Sequence, residues 1–217
     1  MKSFDISLYG IIDPEHCLDR NYRELVQTAV DNGVTLIQYR DKVNDTRTMI
    51  IDVGTIMDAL EGTNVPVIVN DRVDVAMATG AVGVHLGQSD MAAEDARRLM
   101  GKDAIIGISV KTVEDAETAP VQIVDYAFVG GVHATTSKNN PSAIGVKGWE
   151  KLAEILRRER PDLPVGAIAG FTVKNVGEII EAGADGVAMI SALFEAEDVS
   201  KACREVRNAI EKARGNE

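Results

Sequence analysis

Aromatic residues are scarce in this sequence, which has four Phe, four Tyr and one Trp among 217 residues. Apolar residues still make up 45% of the chain, so the composition predicts an aliphatic core. A sequence rich in Val, Ile, Ala and Gly suits parallel strands, because strands buried on both faces need near-continuous apolar runs. The length permits one large domain or two small ones, and α/β barrels often reach this size as one unit.

Basic clusters and long apolar runs are also missing. The net charge is −11 and Lys and Arg form no block, which argues against a nucleic-acid partner. No apolar run approaches bilayer length, and the first ten residues lack the apolar segment of a signal peptide. The two cysteines, Cys17 and Cys203, fit no metal-ligand spacing and favour a reducing compartment. We therefore predict a cytoplasmic protein that binds neither nucleic acid nor membrane.

Several catalytic motifs are absent as well. The sequence has no four-residue zinc cluster and no nucleophile-elbow motif for a Ser-His-Asp triad. A doubly wound sheet would usually carry a Gly-rich phosphate loop after its first strand. Asp13-Pro14-Glu15 stands at that position and is not such a loop.

Apolar runs and helical periodicities alternate eight times along the chain. Extended segments are predicted at 8–12, 35–42, 65–71, 83–87, 105–109, 126–130, 165–170 and 186–191. Helices are predicted at about 21–32, 46–60, 72–79, 92–100, 112–119, 147–159, 173–182 and 197–213. Repeated strand–helix units favour a parallel sheet with right-handed crossovers. We predict a single (β/α)8 TIM barrel, an α/β fold, spanning residues 1–217 as one domain.

The second extended segment ends in polar side chains spaced two apart. Gln38, Arg40 and Lys42 share one face, because alternate side chains of a strand point the same way. Functional groups of such a barrel lie at the carboxyl ends of its strands. Two cations and an amide at one strand end suit a polyanion attached to a hydrogen-bonding ring.

The next two strand ends carry carboxylates. Asn70 precedes Asp71 after the third strand, and Asp90 follows Gln88 and Ser89 after the fourth. Mg²⁺ commonly takes one or two carboxylates and completes its shell with water and phosphates. Each aspartate could instead cap the helix that follows it. Because the pair would face the cationic cluster, the metal site is the favoured interpretation.

Later strand ends offer groups that bind anions. The loop at 130–140 contains two glycines, several hydroxyls and a lysine, which suit a phosphate but are also typical of a plain loop. Gly170 and Ser191 end the last two strands, where such barrels often hold a phosphate. His85 lies within a strand and is predicted to be an interior histidine, whereas His133 in the loop has no assigned role.

Taken in order, these residues resemble the thiamine-phosphate synthase family, transferases that join the pyrimidine and thiazole halves of thiamine. The resemblance runs from Leu8 to Phe194. It is carried by Gln-Tyr-Arg-Asp-Lys at 38–42, Val-Asn-Asp at 69–71, Gly-Val-His-Leu-Gly-Gln-Ser-Asp at 83–90, Ile-Gly-Ile-Ser at 106–109, Thr-Thr-Ser-Lys at 135–138 and Met-Ile-Ser-Ala at 189–192. It implies a barrel, Mg²⁺ dependence and two substrates, hydroxymethylpyrimidine diphosphate and hydroxyethylthiazole phosphate.

The resemblance also implies site residues by position. The pyrimidine diphosphate would bind Gln38, Tyr39, Arg40, Asp41, Lys42, Asn70, Ser109 and Lys138, with Arg40, Lys42 and Lys138 as the catalytic cations. The thiazole phosphate would bind Thr135, Thr136, Ser137, Gly170, Ile190 and Ser191. Asp71 and Asp90 would hold Mg²⁺. In the implied reaction diphosphate leaves, and the thiazole nitrogen attacks the carbocation-like carbon that remains.

Some positions depart from the family pattern. An aromatic residue and a proline are usual at His133 and Ala134, a glycine pair at Ala169-Gly170, and a histidine at Lys111, while Phe171 replaces a small aliphatic residue. These differences lie on the thiazole side of the predicted site.

Two alternatives stay open. A thiazole tautomerase-like isomerase would use a histidine where this chain has Gly131, and would not need the Asp71–Asp90 pair. A non-catalytic barrel could bind thiazole or thiamine phosphates as a sensor or carrier, although Lys42 and Lys138 argue against it. The predicted partners are small phosphorylated substrates, and the sequence leaves a homo-oligomer open.

Overall fold

The computed structural model describes residues 4–134 and 143–215, whose strands form one closed parallel barrel. The strands are β1 (Leu8–Ile12), β2 (Leu36–Tyr39), β3 (Val67–Asn70), β4 (Gly83–Leu86), β5 (Ile105–Val110), β6 (Tyr126–Gly130), β7 (Val165–Ile168) and β8 (Val187–Met189). Each strand pairs with the next, and β8 closes against β1. The predicted (β/α)8 barrel is confirmed.

Helices connect the strands around the outside of the barrel. They are α1 (Tyr22–Asp31), α2 (Thr46–Ala59), α3 (Val73–Thr79), α4 (Ala93–Met100), α5 (Val113–Glu117), α6 (Gly145–Glu159), α7 (Val176–Glu181), α8 (Ser191–Phe194) and α9 (Val199–Ala213). A short 3₁₀ helix, Pro14–His16, and α8 were not predicted. Within the described residues, no helix combines the length and the apolar character that crossing a membrane requires.

Five strands end earlier than the predicted segments, β2, β3, β4, β7 and β8, and backbone turns explain the last two. The run 165–170 stops being a strand before Ala169, because Ala169 and Gly170 have φ values of 97° and 69°, in the left-handed region that a strand cannot continue through. The run 186–191 ends before Ile190, whose φ of −115° and ψ of −94° lie outside the extended region. Backbone turns thus separate the last two strands from the residues predicted at their ends.

The apolar core has an outer and an inner layer. The outer layer packs the helices on the sheet and is mainly aliphatic, as predicted. The inner layer fills the barrel and is also mainly aliphatic, with three aromatic residues among its buried side chains. Tyr9, Tyr126 and Phe128 meet inside the barrel with ring centroids 6.0, 5.2 and 5.8 Å apart. These three rings fill the space that the eight strands enclose, and the other buried aromatic residues, Tyr39, Trp149, Phe171 and Phe194, lie in the outer layer.

Gly107 on β5 makes room for one of these rings. Gly107 is paired in register with Tyr126 on β6. A Cβ atom at Gly107 would lie 2.1 Å from the Cζ atom of Tyr126, far inside van der Waals contact. The inward position of Tyr126 therefore requires glycine at the facing position.

We expect Gly107→Ala to destabilise the protein, because overpacking a filled core typically costs about 1–3 kcal/mol. Gly54→Ala is the matched control, since nothing lies within 4 Å of a Cβ atom there. In this helix the added methyl should raise stability by roughly 0.5–1 kcal/mol. Urea denaturation measures both changes, and wild-type stability of Gly107→Ala would contradict the packing argument.

Candidate active site

A cavity of about 530 Å³ opens at the carboxyl ends of β2 to β5. Its walls come from four consecutive strand ends and the loops that follow them. They are Arg40, Lys42, Asn70, Asp71, Gly87, Gln88, Ser89, Asp90, Ser109, Lys111, Thr112 and Asp115. The structure thus brings together six of the predicted site residues: Arg40, Lys42, Asn70, Asp71, Asp90 and Ser109.

A buried ion pair holds one of the cavity's cations. The Arg40 guanidinium pairs with Asp13, whose side chain is 1% exposed. Asp13 follows β1 and also accepts a hydrogen bond from the Glu15 amide. Removing one partner of such a pair would leave a buried charge uncompensated. Asp13 therefore anchors Arg40 at the cavity wall.

Lys42, Asp71 and Asp90 form a second charged group. The Lys42 ammonium pairs with the Asp71 carboxylate, and a side-chain hydrogen bond joins Asp71 to Asp90. Asp71 has a φ of 60°, a conformation in which aspartate is several-fold enriched among non-glycine residues. Asp90 Oδ2 accepts a hydrogen bond of 2.6 Å from the Gly87 amide. Two loops thereby bring two carboxyl groups into contact beside one cation.

The two carboxyl groups have opposite pKa shifts. Burial and the adjacent Asp90 raise the pKa of Asp71, against the opposing effect of Lys42. Burial also acts to raise the pKa of Asp90, but hydrogen bonds from Asp71 and the Gly87 amide outweigh it, so the pKa is lowered overall. Like charges at contact distance cannot both ionise freely. Asp71 is therefore the member that retains a proton more readily.

The helix-cap interpretation of these aspartates is wrong. The N-cap residues of α3 and α4 are Arg72 and Ala92, and neither helix has a side-chain cap hydrogen bond. Among the described residues, no group of three or more His, Cys, Asp or Glu side chains could hold a metal ion. Asp71 and Asp90 form a two-carboxylate pair, which is a donor set that suits a hard cation.

Gln38 lies deeper in the barrel than Arg40. Its side chain is 2% exposed, and Nε2 donates a hydrogen bond of 2.6 Å to the Tyr9 hydroxyl. Gln38 does not line the cavity as the described residues define it. The predicted alternation along 38–42 nevertheless continues past the end of β2, because Arg40 and Lys42 both line the cavity.

Tyr39 and Asp41 are engaged away from the cavity. The Tyr39 hydroxyl lies 2.7 Å from a carboxylate oxygen of Asp41 and 2.8 Å from one of Asp52, and it can donate its one proton to either. Asp41 also accepts from the amides of Val43 and Asn44 at 2.8 and 2.9 Å. The structure therefore gives this pair contacts that hold the loop carrying Lys42, and it does not bring them to the cavity.

Of the residues predicted for the second phosphate, Gly170, Ile190 and Ser191 do not line this cavity. Thr135, Thr136, Ser137 and Lys138 lie outside the described residues. Gly170 has a φ of 69°, and a Cβ atom there would lie 2.6 Å from the Ala134 carbonyl oxygen, so its loop packs directly on the one after β6. Ile190 is 7% exposed in the inner layer, and Ser191 begins α8.

His85 on β4 and His133 after β6 differ in their surroundings. His85 is 6% exposed inside the barrel and makes hydrogen bonds there, so the predicted interior histidine is confirmed. His133 packs edge-on against Phe171, with ring centroids 5.1 Å apart. Within the described residues, its buried Nε2 atom has no hydrogen-bond partner.

Sequence reasoning missed several residues of the cavity. Asp13, which anchors the cavity residue Arg40, was given no role, although it lies two residues beyond the inward-facing Ile11. Lys111 likewise lies two residues beyond Ser109. The alternation that identified Arg40 and Lys42 would have found both. Asp115 gave no such signal, because it reaches the cavity from α5, where its carboxylate accepts from the Lys111 and Thr112 amides.

Comparison with known proteins identifies relatives over nearly the whole chain. A family model described as thiamine monophosphate synthase matches residues 8–193. A thiamine-phosphate synthase of Agrobacterium fabrum is 47% identical over 214 residues, which cover 98% of this chain and 97% of that protein. One from Azorhizobium caulinodans is 39% identical over 212 residues, covering 97% of this chain and 98% of that protein.

Solved structures agree with these relatives. A thiamine phosphate pyrophosphorylase from Pyrococcus furiosus superposes with a TM-score of 0.83 at 36% identity, covering 96% of each chain. A 3-hexulose-6-phosphate synthase reaches a TM-score of 0.65 at 17% identity, covering 94% of this chain and all 100% of the other. The second likeness shows a shared barrel fold alone.

We expect Asp71→Asn to raise the free energy of unfolding at neutral pH, because the raised pKa of Asp71 means that ionisation of this carboxyl group opposes folding. A raised pKa means that the folded state binds the proton more tightly, so stability is lost as pH rises from the unfolded to the folded pKa. Asparagine mimics the protonated form and can still donate to Asp90.

Asp90→Asn should change stability in the opposite direction. Its lowered pKa means that its charge stabilises the fold above the unfolded pKa, and that this contribution is lost as pH falls through the folded one. Chemical denaturation at about pH 4 and pH 7 without divalent ions compares the variants with wild type. Equal losses in both variants would show that the two carboxyl groups are not coupled in this way.

Proposed function

Because this chain belongs to the thiamine monophosphate synthase family and is therefore a transferase, we propose that it condenses hydroxymethylpyrimidine diphosphate with hydroxyethylthiazole phosphate. The products are thiamine phosphate and pyrophosphate. The observation that carries this proposal is the cavity at the ends of β2 to β5, where Arg40 and Lys42 lie beside Asn70 and Ser109. Fixed cations next to neutral hydrogen-bonding groups suit a diphosphate joined to a heteroaromatic ring.

We assign the pyrimidine diphosphate to this cavity. Arg40 and Lys42 would bind its phosphate oxygens together with Lys138, and Gln38, Asn70 and Ser109 would bind the ring. The Asp13–Arg40 ion pair supports this assignment, because it holds the guanidinium in place before substrate arrives. Tyr39 and Asp41 would act on substrate through the loop that carries Lys42.

Asp71 and Asp90 are the residues that would hold Mg²⁺. Their fit is supported by the hydrogen bond between the two carboxyl groups and by the raised pKa of Asp71, since a cation relieves repulsion between adjacent carboxylates. When bound, Mg²⁺ supplies positive charge to the departing diphosphate. Both aspartates line the same cavity as the cations proposed to bind that diphosphate.

The proposed reaction needs no protein nucleophile. Arg40, Lys42 and Lys138 would neutralise the charge that develops as diphosphate departs. The cavity walls would exclude water, which otherwise captures the carbocation-like carbon. The thiazole nitrogen would then attack that carbon. Binding of the second substrate through its phosphate would place the nitrogen within reach and supply the remaining acceleration by proximity.

We propose that the second phosphate binds at the ends of β6 to β8, through Thr135, Thr136, Ser137, Gly170, Ile190 and Ser191. The close contact between Gly170 and Ala134 supports this site, because it brings two of these loops together. Backbone amides and hydroxyls of such loops suit a phosphate without needing a paired cation.

A cytoplasmic location is part of the proposal. Cys17 and Cys203 are both free and buried. Burial raises the pKa of Cys17 to about 11 and that of Cys203 to about 12, so neither thiol is a reactive thiolate at neutral pH. Unpaired cysteines of this kind are typical of proteins in a reducing compartment.

We expect the purified protein to release pyrophosphate only when the pyrimidine diphosphate, the thiazole phosphate and Mg²⁺ are all present. A coupled assay for pyrophosphate, with each component omitted in turn, measures this. No release from the complete mixture by folded protein would contradict the proposal. Calorimetry would then separate an altered second substrate, for which pyrimidine diphosphate still binds, from an isomerase or sensor that does not bind it.

Asp90→Ala should shift the Mg²⁺ titration of turnover to higher concentration. Turnover at saturating Mg²⁺ should fall about tenfold for each ~1.4 kcal/mol of lost transition-state stabilisation. Asp74→Ala is the matched control, because the Asp74 carboxylate is exposed on α3 and pairs with Arg72. Superimposable titrations for Asp90→Ala and Asp74→Ala would show that Asp90 does not contribute to the metal site.

A further inference from the structure

A chain of buried polar groups crosses the inside of the barrel. Gln38 Nε2 donates to the Tyr9 hydroxyl at 2.6 Å, and the Tyr9 and Tyr126 hydroxyls lie 2.9 Å apart. The Tyr126 hydroxyl is 3.2 Å from His85 Nδ1, and His85 Nε2 is 2.9 Å from Ser109 Oγ. The chain therefore links two residues that are proposed to bind the pyrimidine ring.

The middle of the chain is fully enclosed. Tyr9, Tyr126 and His85 are 1%, 0% and 6% exposed. Burial raises the pKa of both phenols well above the ordinary value, so each hydroxyl keeps its one proton at neutral pH. None of the three side chains lines the cavity, and the proposed reaction gives them no role. Their hydrogen bonds nevertheless end at residues that it uses.

The direction of one hydrogen bond sets the direction of the next, because each buried hydroxyl needs an acceptor for its single proton and has only one such acceptor among the described residues. Gln38 donates to Tyr9, so Tyr9 donates to Tyr126. Tyr126 must then donate to Nδ1 of His85. A neutral imidazole that accepts at Nδ1 carries its proton on Nε2. Nε2 therefore donates to Ser109 Oγ, and the Ser109 hydroxyl keeps its own proton for another acceptor.

The two ends of this row of hydrogen bonds therefore differ: one end accepts a hydrogen bond and the other donates one. Within residues 4–134 and 143–215, no group donates to Gln38 Oε1, so this oxygen is left to accept a hydrogen bond. The Ser109 hydroxyl is left to donate one, and Ser109 lines the cavity. Hydroxymethylpyrimidine diphosphate carries an exocyclic amine, which donates, and ring nitrogens, which accept. An acceptor and a donor held in place suit that ring.

We infer that Tyr9, Tyr126 and His85 are positioning residues that hold Gln38 as an acceptor and Ser109 as a donor toward the aminopyrimidine ring. The inference rests on the proposed function and deepens it by naming what selects the first substrate. Turning the Gln38 carboxamide over would reverse every link and present the wrong pattern at both ends. The tautomer of His85 distinguishes the two directions.

The direction is tested first by ¹⁵N NMR of the wild-type protein at a pH where imidazole is neutral. The protein has three histidines, and His85→Gln assigns the signal. We expect His85 to carry its proton on Nε2 alone. In Tyr126→Phe, Nδ1 loses its donor, and the signal should move toward a mixture of tautomers. A wild-type His85 protonated on Nδ1 would overturn the direction of the chain.

The consequence for recognition is tested by binding of pyrimidine diphosphate and of an analogue whose exocyclic amine is replaced by a carbonyl oxygen. Wild type should bind the analogue at least about tenfold more weakly, because two acceptors then face each other. Tyr126→Phe should bind the amine about tenfold more weakly and discriminate less against the analogue, since the Gln38 amide can then turn over. If Tyr126 had a purely structural role, Tyr126→Phe would not change the ratio of the affinities for pyrimidine diphosphate and for the analogue.

Tyr22→Phe is the matched control. Tyr22 lies on α1 and takes no part in the row of hydrogen bonds between Gln38 and Ser109, and its ring contacts Tyr39. It should leave tautomer, binding and discrimination as in wild type. Tyr9→Phe replaces Tyr126→Phe if the latter unfolds, and should likewise reduce discrimination. Unchanged discrimination in both would overturn the inference.

Different results would contradict the proposed function and the inference about the hydrogen bonds. Wild type that binds no pyrimidine diphosphate contradicts the proposed activity and the ligand named here, even with the proton of His85 on Nε2. Tight binding with the proton on Nδ1 contradicts the inference alone and leaves the synthase proposal standing.

Discussion

Closure of eight parallel strands into one barrel is the constraint on which the rest of this structure depends, because every strand then ends at the same rim. Alternate side chains of each strand face inward. Along β1 the inward Ile11 is followed two residues later by Asp13, and along β2 Gln38 is followed by Arg40. The alternation that fills the interior therefore also delivers paired charges to the cavity above it.

Charge at this rim is handled in two ways. Asp13 and Arg40 compensate each other in a buried pair, which gives a fixed cation at the cost of desolvating both groups. Asp71 and Asp90 instead lie beside each other, and Lys42 pairs with Asp71. The first arrangement is stable before ligand binds. In the second, the raised pKa of Asp71 means that ionisation of this carboxyl group opposes folding, which is the kind of stability loss that functional sites retain.

Much of the site could be predicted from the sequence because its residues follow apolar strands at a spacing of two. Arg40 and Lys42 were identified in this way, Asn70 by its place at a strand end and Ser109 by the family resemblance, and the four lie together. The same reasoning could not separate Gln38, which lies deeper, from Arg40. The family resemblance also assigned Tyr39 and Asp41 to substrate, whereas the structure joins their hydroxyl and carboxylate in a hydrogen bond. Neighbours in sequence face opposite sides of a strand, so a contiguous motif contains both cavity residues and loop supports.

The sequence by itself determined the number and order of the strand–helix units and which strand ends carry charge, because hydrophobic periodicity and residue spacing are local properties. Only the tertiary structure decided which groups contact one another. The Asp13–Arg40 pair spans two strands, and the chain from Gln38 through Tyr9, Tyr126 and His85 crosses the barrel. Such contacts depend on closure of the barrel and on the space left by Gly107, and residues far apart in sequence come within hydrogen-bond distance only when the fold is complete.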